Sequence, residues 1–403
     1  MKRLACAIVL FCATTAPAQW SIQDGHTSAD LRGIHALDNG IAWASGTDGT
    51  ILRTTNDGKH WQRCTTPPGA EHLDFRGIQA FDANTAIVMS SGKGPLSRLY
   101  KTTNGCRTWK LLFTNPDPDG FWAAIMSSDK SSAMVLGNPM NGRLQLFDIS
   151  ESVEAQPSLR EITTLAGPRA GSSPMTSALR SETSFPASNS SLIRLSLGGI
   201  AFATGGAIAH PRVIGTACIS SGDFIDCTPK VSEVPMATGP TAGVFSLAAR
   251  EFKSHCPSPE ELAAPLPLNP LVPGPRCQIT DVLVAVGGDL ARPADSSGTA
   301  AYTEEAEDAN HYDPSDHWHP AQTPPHGFRS SVAYDPSTST WITVGPNGTD
   351  ISTDDGRNWR PLRPAPTDAR DADQHWNALS LPFVVGSHGR IGKLNSDRLK
   401  GSN

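Results

Sequence analysis

One eight-residue pattern occurs three times in the 403-residue chain. The copies span residues 54–61, 102–109 and 352–359, and each reads Ser/Thr-x-Asp/Asn-x-Gly-x-x-Trp, except that Cys106 replaces the glycine of the second copy. Each copy follows a run of strand-forming residues. Repetition of one strand-turn-strand unit is typical of folds built from stacked or ring-arranged units, so the repeat constrains the fold class more than any single residue does.

The residues of this pattern have separate tasks in a turn. The Asp or Asn oxygen accepts hydrogen bonds from backbone N–H groups just ahead of it, and glycine permits a positive φ. The tryptophan begins the next strand and packs its ring across the hairpin. We therefore expect structural roles for Thr54, Asn56, Gly58, Trp61, Thr102, Asn104, Trp109, Ser352, Asp354, Gly356 and Trp359.

Four short strand patterns accompany each clear copy, and four strands in about 35 residues are the size of one propeller blade. Seven such units follow one another along the chain. The last unit has no fourth strand, and residues 19–23 precede the first unit, so we expect them to complete the seventh blade and remove the exposed sheet edges. The sequence thus predicts one all-β domain over residues 19–403, a seven-bladed β-propeller of four-stranded antiparallel blades; six or eight blades are the alternatives.

The N-terminus reads as a signal peptide over residues 1–18. Two basic residues precede an apolar segment, and Ala16-Pro17-Ala18 forms a cleavage site of the A-x-A type. This pattern predicts a secreted or periplasmic protein. No later segment has the ~18 uninterrupted apolar residues of a transmembrane helix. The chain has a formal charge of −6 and no block of basic residues, so we expect no nucleic-acid partner.

Six cysteines follow the signal peptide, and an even number in an exported chain predicts disulfides. Fifteen pairings are possible. We expect Cys218–Cys227 across a tight turn, Cys256–Cys277 around a Pro-rich insertion (about 253–279) in the fifth unit, and Cys64–Cys106 as the remaining pair. Because no C-x-x-C pair is present, we expect no metal, and no motif indicates a cofactor.

Candidate binding residues come from the first strand of three units. That strand begins with an apolar residue and an arginine in each, which places Arg32, Arg76 and Arg329 at equivalent positions near the channel. Guanidinium groups bind carboxylate or phosphate in bidentate fashion. The structural alternative is that each arginine pairs with a neighbouring Asp and ties blades together. Further candidates at the channel mouth are Arg143, Trp122 and Asp289, for which a core aromatic and a turn cap are the alternatives to binding.

The repeated turn resembles the Asp-box (BNR) hairpin of sialidase-like and Ycf48-like propellers. Over nearly all of residues 19–403 the chain resembles the Ycf48-like propellers, the photosystem II assembly and stability factor type. The features that carry this resemblance are the first-strand arginines, residues 137–143, residues 286–289 and residues 344–356. The resemblance implies a non-catalytic propeller that binds a partner protein or polypeptide segment, and we expect a monomer.

A sialidase-like protein that binds or hydrolyses an acidic glycan is the alternative function. It would use the same three arginines. The Arg-Ile-Pro motif of sialidases is absent, and none of the four tyrosines has an obvious Glu partner. No complete catalytic motif is present, so we assign no catalytic residue and favour a protein without enzymatic activity.

Overall fold

A computed structural model describes residues 19–127, 129–150, 157–162, 164–165, 173–174, 177–221, 224–254, 256, 258, 277–305, 318–364, 369 and 371–400. The predicted signal peptide and most of the Pro-rich insertion lie outside this part. The described residues form seven four-stranded antiparallel blades arranged in a ring, which confirms the predicted fold class. No helix among them has the length and apolar character needed to span a membrane.

The first three blades follow the strand β1 (Trp20–Asp24). Blade 1 contains β2 (Leu31–Leu37), β3 (Ile41–Gly46), β4 (Ile51–Thr54) and β5 (Gln62–Arg63). Blade 2 contains β6 (Phe75–Ala80), β7 (Ala86–Ser90), β8 (Arg98–Thr102) and β9 (Lys110–Thr114). Blade 3 contains β10 (Trp122–Ser127), β11 (Ser132–Met140), β12 (Arg143–Ser150) and β13 (Ser158–Glu161).

Three short strands separate blades 3 and 4: the pair β14 (Thr164–Leu165) and β15 (Ser173–Pro174), and β16 (Glu182–Thr183). Blade 4 contains β17 (Leu192–Arg194), β18 (Ile200–Ala203), β20 (Arg212–Ser221) and β21 (Phe224–Glu233), with β19 (Gly205–Gly206) between its second and third strands. Blade 5 contains β22 (Ala242–Ser254), β23 (Gln278–Asp289), β24 (Ala300–Tyr302) and β25 (His319–Pro320). Strands β16 and β19 join this blade and enlarge its sheet to six strands.

Blade 6 contains β26 (Ser331–Asp335), β27 (Thr340–Gly345), β28 (Gly348–Ser352) and β29 (Arg360–Pro361). Blade 7 contains β30 (Trp376–Ser380), β31 (Phe383–Gly386) and β32 (Arg390–Leu394), and a short helix α1 (Asp397–Lys400) follows. Four single 3-10 turns occupy Asp38–Gly40, Gly94–Leu96, Ser196–Gly198 and Ser387–Gly389.

The N-terminal strand closes the ring as predicted. Strand β1 pairs antiparallel with β32, with Trp20 opposite Leu394, and so supplies the fourth strand of blade 7. The Trp20 indole packs 5.9 Å from that of Trp376, measured between ring centroids, and its Nε1 donates to Thr349 Oγ1 at 3.0 Å. Closure therefore joins the two ends of the fold through both a strand pair and buried side chains.

The hydrophobic core lies between neighbouring blades. Trp43 of blade 1 is fully buried in one cluster with Phe75, Val88 and Tyr100 of blade 2, and similar clusters recur between later blades. Sheets that each bury both faces against neighbours give a continuous apolar belt around the channel.

The first strands of the seven blades pack against one another in sequence order and surround the channel. We call the end of the ring where these inner strands begin the entry face, and the end where they stop the exit face. The first and third strands of an antiparallel blade run in the same direction, so the three repeated turns, which follow third strands, all lie on the exit face.

All three repeated turns have the same hydrogen bonds. In the first, Thr54 Oγ1 accepts from the Gly58 amide at 3.0 Å and Asn56 Oδ1 accepts from the His60 amide at 3.0 Å. The equivalent bonds in the second and third turns measure 3.0–3.2 Å. Cys106 adopts a φ of 61°, in the same left-handed region as the 79° of Gly58, so the backbone path survives the loss of glycine.

Disulfide bonds join Cys64 to Cys106 and Cys256 to Cys277, the partners expected from the sequence. The first bond connects the end of blade 1, directly after β5, to the repeated turn of blade 2 between β8 and β9. Cys218 lies opposite Cys227 in the backbone register of β20 and β21, and their side chains lie outside the described part of the chain.

Candidate functional site

The inner strands of five blades contain a β-bulge close to the entry face. The antiparallel register of the first and second strands skips one residue at Arg32, Arg76, Ala123, Phe245 and Asn377. A bulge leaves one residue unpaired and redirects its side chain. The repeated bulge thus gives each of these blades one unpaired residue near the start of its inner strand, and two of these residues are arginines of adjacent blades.

Arg32 and Arg76 meet at one carboxylate. Arg76 Nε donates to Asp74 Oδ2 at 2.8 Å, and Arg32 Nε lies 3.2 Å from Asp74 Oδ1. The second contact is an ion pair without hydrogen-bond alignment, so Arg32 Nε and Asp74 Oδ1 have no hydrogen-bond partner among the described residues. Arg32 reaches a second carboxylate, Asp30, only at 3.5 Å. The shared carboxylate therefore does not use all the donors of the two guanidinium groups.

Both arginine side chains are about one-quarter exposed, at 26% for Arg32 and 25% for Arg76. Burial partly desolvates the Arg76 guanidinium and lowers its pKa despite the favourable charge of Asp74. A partly desolvated guanidinium with free N–H groups can bind a carboxylate through charge-assisted hydrogen bonds. Asn377 of blade 7 lies next to this pair, with its Nδ2 donating to Leu31 O at 2.8 Å. We call Asn377, Arg32 and Arg76 the open arc of the entry face.

Arg329 does not belong to the open arc, which corrects the prediction of three equivalent binding arginines. Its side chain has 0% exposure. Its Nε donates to Asp350 Oδ2 at 2.8 Å, and its Nη1 donates to Asn347 Oδ1 at 2.7 Å and to Phe328 O at 2.8 Å. These partners occupy the N–H donors that a ligand would need. Arg329 therefore has a structural role and ties its own blade together.

Sequence comparison of the blades contains a signal for this difference. Asp350 stands two residues before Ser352, and the equivalent positions in the first two repeats are Leu52 and Tyr100. Among the three blades with a first-strand arginine, only the blade that carries Arg329 therefore has a carboxylate on its third strand. The residue two positions before the repeated turn therefore distinguishes the blade with the buried Arg329 from the blades with the partly exposed Arg32 and Arg76.

Trp122 is also a structural residue. Its ring is completely buried and packs against Phe147 with 6.5 Å between ring centroids. A ligand at the channel mouth cannot contact this ring, which corrects its assignment as a binding residue.

Asp289 and Arg143 lie apart from the open arc. Asp289 Oδ1 accepts from Thr241 Oγ1 at 2.6 Å and from the Ala291 amide at 3.0 Å, and hydrogen bonding to Thr241 lowers the pKa of this carboxyl group. It is a turn cap. Arg143 is exposed at the start of β12, the third strand of blade 3, and its backbone forms a bridge with Ser177. The structure does not bring these two residues together with Arg32 and Arg76.

The arrangement of a sialidase-type site is incomplete among the described residues. Arg329 is buried against Asp350, so only two of the three predicted arginines can face one ligand. Tyr100 and Tyr302 are buried as well, and Tyr100 Oη donates to Pro68 O at 3.3 Å. No group of three or more His, Cys, Asp or Glu side chains suited to a metal ion occurs in the described part of the chain.

The fold and the open arc together define a seven-bladed propeller with a solvent-accessible arginine pair at one mouth of its channel. A solved structure described as YCF48 bound to D1 peptide is similar to this chain, with a TM-score of 0.53 and 13% identity over 93% of this chain and 96% of that one. YCF48 from Cyanidioschyzon merolae has the same TM-score and identity, over 94% of this chain and its whole length. The resemblance predicted from the sequence is thus confirmed at the level of the fold.

No protein-family model matches the chain, and no curated protein matches it.

Proposed function

We propose that this chain is an exported, non-catalytic propeller that binds an acidic polypeptide segment of a partner protein across the open arc. The observation that carries the proposal is the pair Arg32 and Arg76, whose side chains share the Asp74 carboxylate and are each about one-quarter exposed. A carboxylate of the partner accepts hydrogen bonds from the exposed guanidinium N–H groups that Asp74 does not use. Two guanidinium groups of adjacent blades then hold it in a fixed orientation.

A polypeptide ligand is supported by the comparison with YCF48, since one similar structure is described as bound to a D1 peptide. The burial of Arg329 argues against the acidic-glycan alternative, because a third arginine does not reach the ligand. The signal-peptide pattern and the two described disulfides support an oxidising compartment outside the cytoplasm, either the periplasm or the exterior.

The experiment is cross-linking in cells followed by mass spectrometry. It compares the wild-type chain, an Arg32→Ala/Arg76→Ala variant and an Arg160→Ala/Arg194→Ala variant. Arg160 and Arg194 are exposed and lie on other parts of the ring, so the control loses the same charge without altering the open arc. A partner segment captured by the wild type and the control, and not by the Arg32/Arg76 variant, is the expected result.

The captured segment is then synthesised as a peptide and titrated against the purified chain by calorimetry. Replacement of its acidic side chains by amides, and amidation of its C-terminus where that end is part of the segment, should weaken binding at least tenfold. Equal capture by all three chains, or equal affinity for the acidic and amidated peptides, would refute the arginine site. Sialic acid titrated in parallel tests the glycan alternative directly.

A further inference from the structure

The segment between blades 3 and 4 crosses the entry face, and we call residues 177–190 the strap. Its first part, the strap base, is anchored by a buried ion pair. Glu182 and Arg212 have side-chain exposures of 0% and 7%, and Arg212 Nε donates to Glu182 Oε1 at 2.9 Å. The Phe185 ring stacks on Phe245 with centroids 4.1 Å apart and an interplanar angle of 11°. The strap base is therefore fixed to blades 4 and 5.

The last five residues, 186–190, form the strap tip and occupy the channel mouth. Pro186 O accepts from Arg76 Nη1 of blade 2 at 3.1 Å. Ser190 Oγ lies 2.7 Å from Ser246 Oγ of blade 5 and 3.5 Å from Ser331 Oγ of blade 6. These contacts join the tip to blades 2, 5 and 6, besides blade 4, into which it leads.

Two inner-strand amides depend on the strap tip for their acceptors. The Ile125 amide donates to Asn189 Oδ1 at 2.7 Å, and the Leu247 amide donates to Ser190 O at 2.8 Å. A β-carbon on Gly77 would lie only 2.8 Å from Asn189 Oδ1, so the tip approaches the inner strand of blade 2 as closely as glycine allows.

Four other inner-strand amides obtain their acceptors from side chains of neighbouring inner strands. The donor amides are those of Ala36, Ala80, Val332 and Leu379, and their acceptors are Ser380 Oγ, His35 Nδ1, Ser246 Oγ and Ser331 Oγ, respectively. These bonds are part of the ring itself. The strap tip therefore takes the place of ring side chains at blades 3 and 5.

The composition of the strap tip differs from that of its base. Residues 186–190 read Pro-Ala-Ser-Asn-Ser and contain no large apolar side chain, so the tip buries little apolar surface when it occupies the mouth. Its contacts are hydrogen bonds that water can replace when the tip leaves. By contrast, opening of the base would separate a buried ion pair and two stacked rings.

We propose that the strap tip is an internal ligand of the channel mouth, which opens about its fixed base and whose place the partner segment takes. The contacts vacated by the tip describe that segment: it is extended, carries small side chains, and offers a carbonyl or carboxylate oxygen to Arg76. This use by a partner rests on the proposed function. The opening itself does not, because it is a property of the chain alone.

The test is residue-resolved hydrogen exchange of the full chain without a partner, measured by NMR and corrected for intrinsic rates. Opening of the tip releases the Ile125 and Leu247 amides together and leaves the amides of Ala36, Ala80, Val332 and Leu379 bonded. We expect the Ile125 and Leu247 amides to exchange at rates that match each other. These rates should be at least fivefold faster than those of the other four amides. An Arg76→Ala variant, which removes only the partner of Pro186 O at the tip, should accelerate these two amides further.

Exchange of Ile125 and Leu247 less than fivefold faster than the four reference amides would overturn the proposal, as would unequal rates for the two amides. The four reference amides report global unfolding in the same sample, so a variant with lowered overall stability is recognised by their acceleration. Because no partner is present, a negative result leaves the cross-linking experiment unaffected, and failure of that experiment does not decide this one.

Discussion

Arg329 and Asp350 form an ion pair from which solvent is excluded, with exposed fractions of 0% and 1% for their side chains. Asp350 also bonds His326 Nδ1 at 2.8 Å, and the neighbouring positive groups together with this hydrogen bond lower the pKa of the carboxyl group against the opposing effect of burial. The pair joins the residues just before the inner strand β26 to the third strand β28. Its burial separates the role of Arg329 from that of Arg32 and Arg76.

Replacement of Arg329 by alanine should destabilise the fold strongly. The substitution leaves the Asp350 carboxylate buried with its main cation removed, which costs about 3–5 kcal/mol. Denaturant unfolding followed by tryptophan fluorescence measures this change. An Arg160→Ala variant is the control and should stay within about 0.5 kcal/mol of the wild type, because Arg160 is exposed. Equal stability of the two variants would show that the buried pair is not formed.

Replacement of Arg32 and Arg76 should affect peptide binding more than folding stability. Partly exposed ion pairs contribute about 0–1 kcal/mol each, so the Arg32→Ala/Arg76→Ala variant should unfold within about 2 kcal/mol of the wild type. Its affinity for the captured acidic peptide should fall at least tenfold. An Arg32→Lys/Arg76→Lys variant keeps the charge without the planar fork and should bind with intermediate affinity. A large loss of stability with unchanged affinity would assign these arginines a purely structural role.

The loss of folding stability at acidic pH should come in part from His35. Burial lowers its pKa from the ordinary value of 6.5, and its Nδ1 accepts the Ala80 amide at 2.8 Å, which requires that nitrogen to be unprotonated. Just below pH 6.5, the His35 side chain therefore binds a proton in the unfolded chain but not in the folded chain. Stability should decrease as the pH falls below about 6.5, until the lowered pKa is reached. A His35→Gln variant, studied by thermal unfolding between pH 5 and 7, should show a shallower decrease.

His326 should act in the opposite direction on the alkaline side. Hydrogen bonding to Asp350 raises its pKa above 6.5, against the opposing effects of burial and of Arg329, whose Nη2 lies 2.9 Å from Nδ1. Its Nε2 lies 2.9 Å from a further acceptor, Asn347 O. The stability contributed by this imidazolium is complete below pH 6.5 and is lost as the pH rises through the raised pKa. The difference in unfolding free energy between wild type and His326→Gln should therefore shrink between pH 6 and 8. A difference that is constant over this range would contradict the raised pKa.

The sequence predicts the ring well because its information is local. The repeated turn, the length of the strand patterns and the unpaired N-terminal segment each specify neighbours within one blade, apart from the closure of β1 on β32. The two described disulfides also agree with the sequence, since one joins neighbouring repeats and the other brackets one insertion.

The composition of the candidate site is less predictable because its contacts are not local. Residues 186–190 have the composition of a surface loop, but their partners Arg76, Ile125 and Leu247 come from three other blades. Arg329 has the same strand position as Arg32 and Arg76, and only its carboxylate partner on another strand distinguishes it. Equivalent positions in a repeat thus specify the backbone, while the surroundings of each blade decide what the side chain does.

Removal of the Cys64–Cys106 bond should lower stability more than removal of Cys256–Cys277. The first bond joins residues 42 positions apart and encloses the inner strand of blade 2, whereas the second joins residues 21 positions apart. A longer closed loop restricts the unfolded chain more, and the loss of such a bond typically costs about 2–4 kcal/mol. Denaturant unfolding of a Cys64→Ser/Cys106→Ser variant and a Cys256→Ser/Cys277→Ser variant measures the difference, with the wild type under reducing conditions as control.

Cys64 and Cys106 are both buried between two blades, so their replacement also weakens packing at this position. A larger loss from the Cys256/Cys277 variant would show that the insertion, and not the contact between blades 1 and 2, depends on its disulfide for stability.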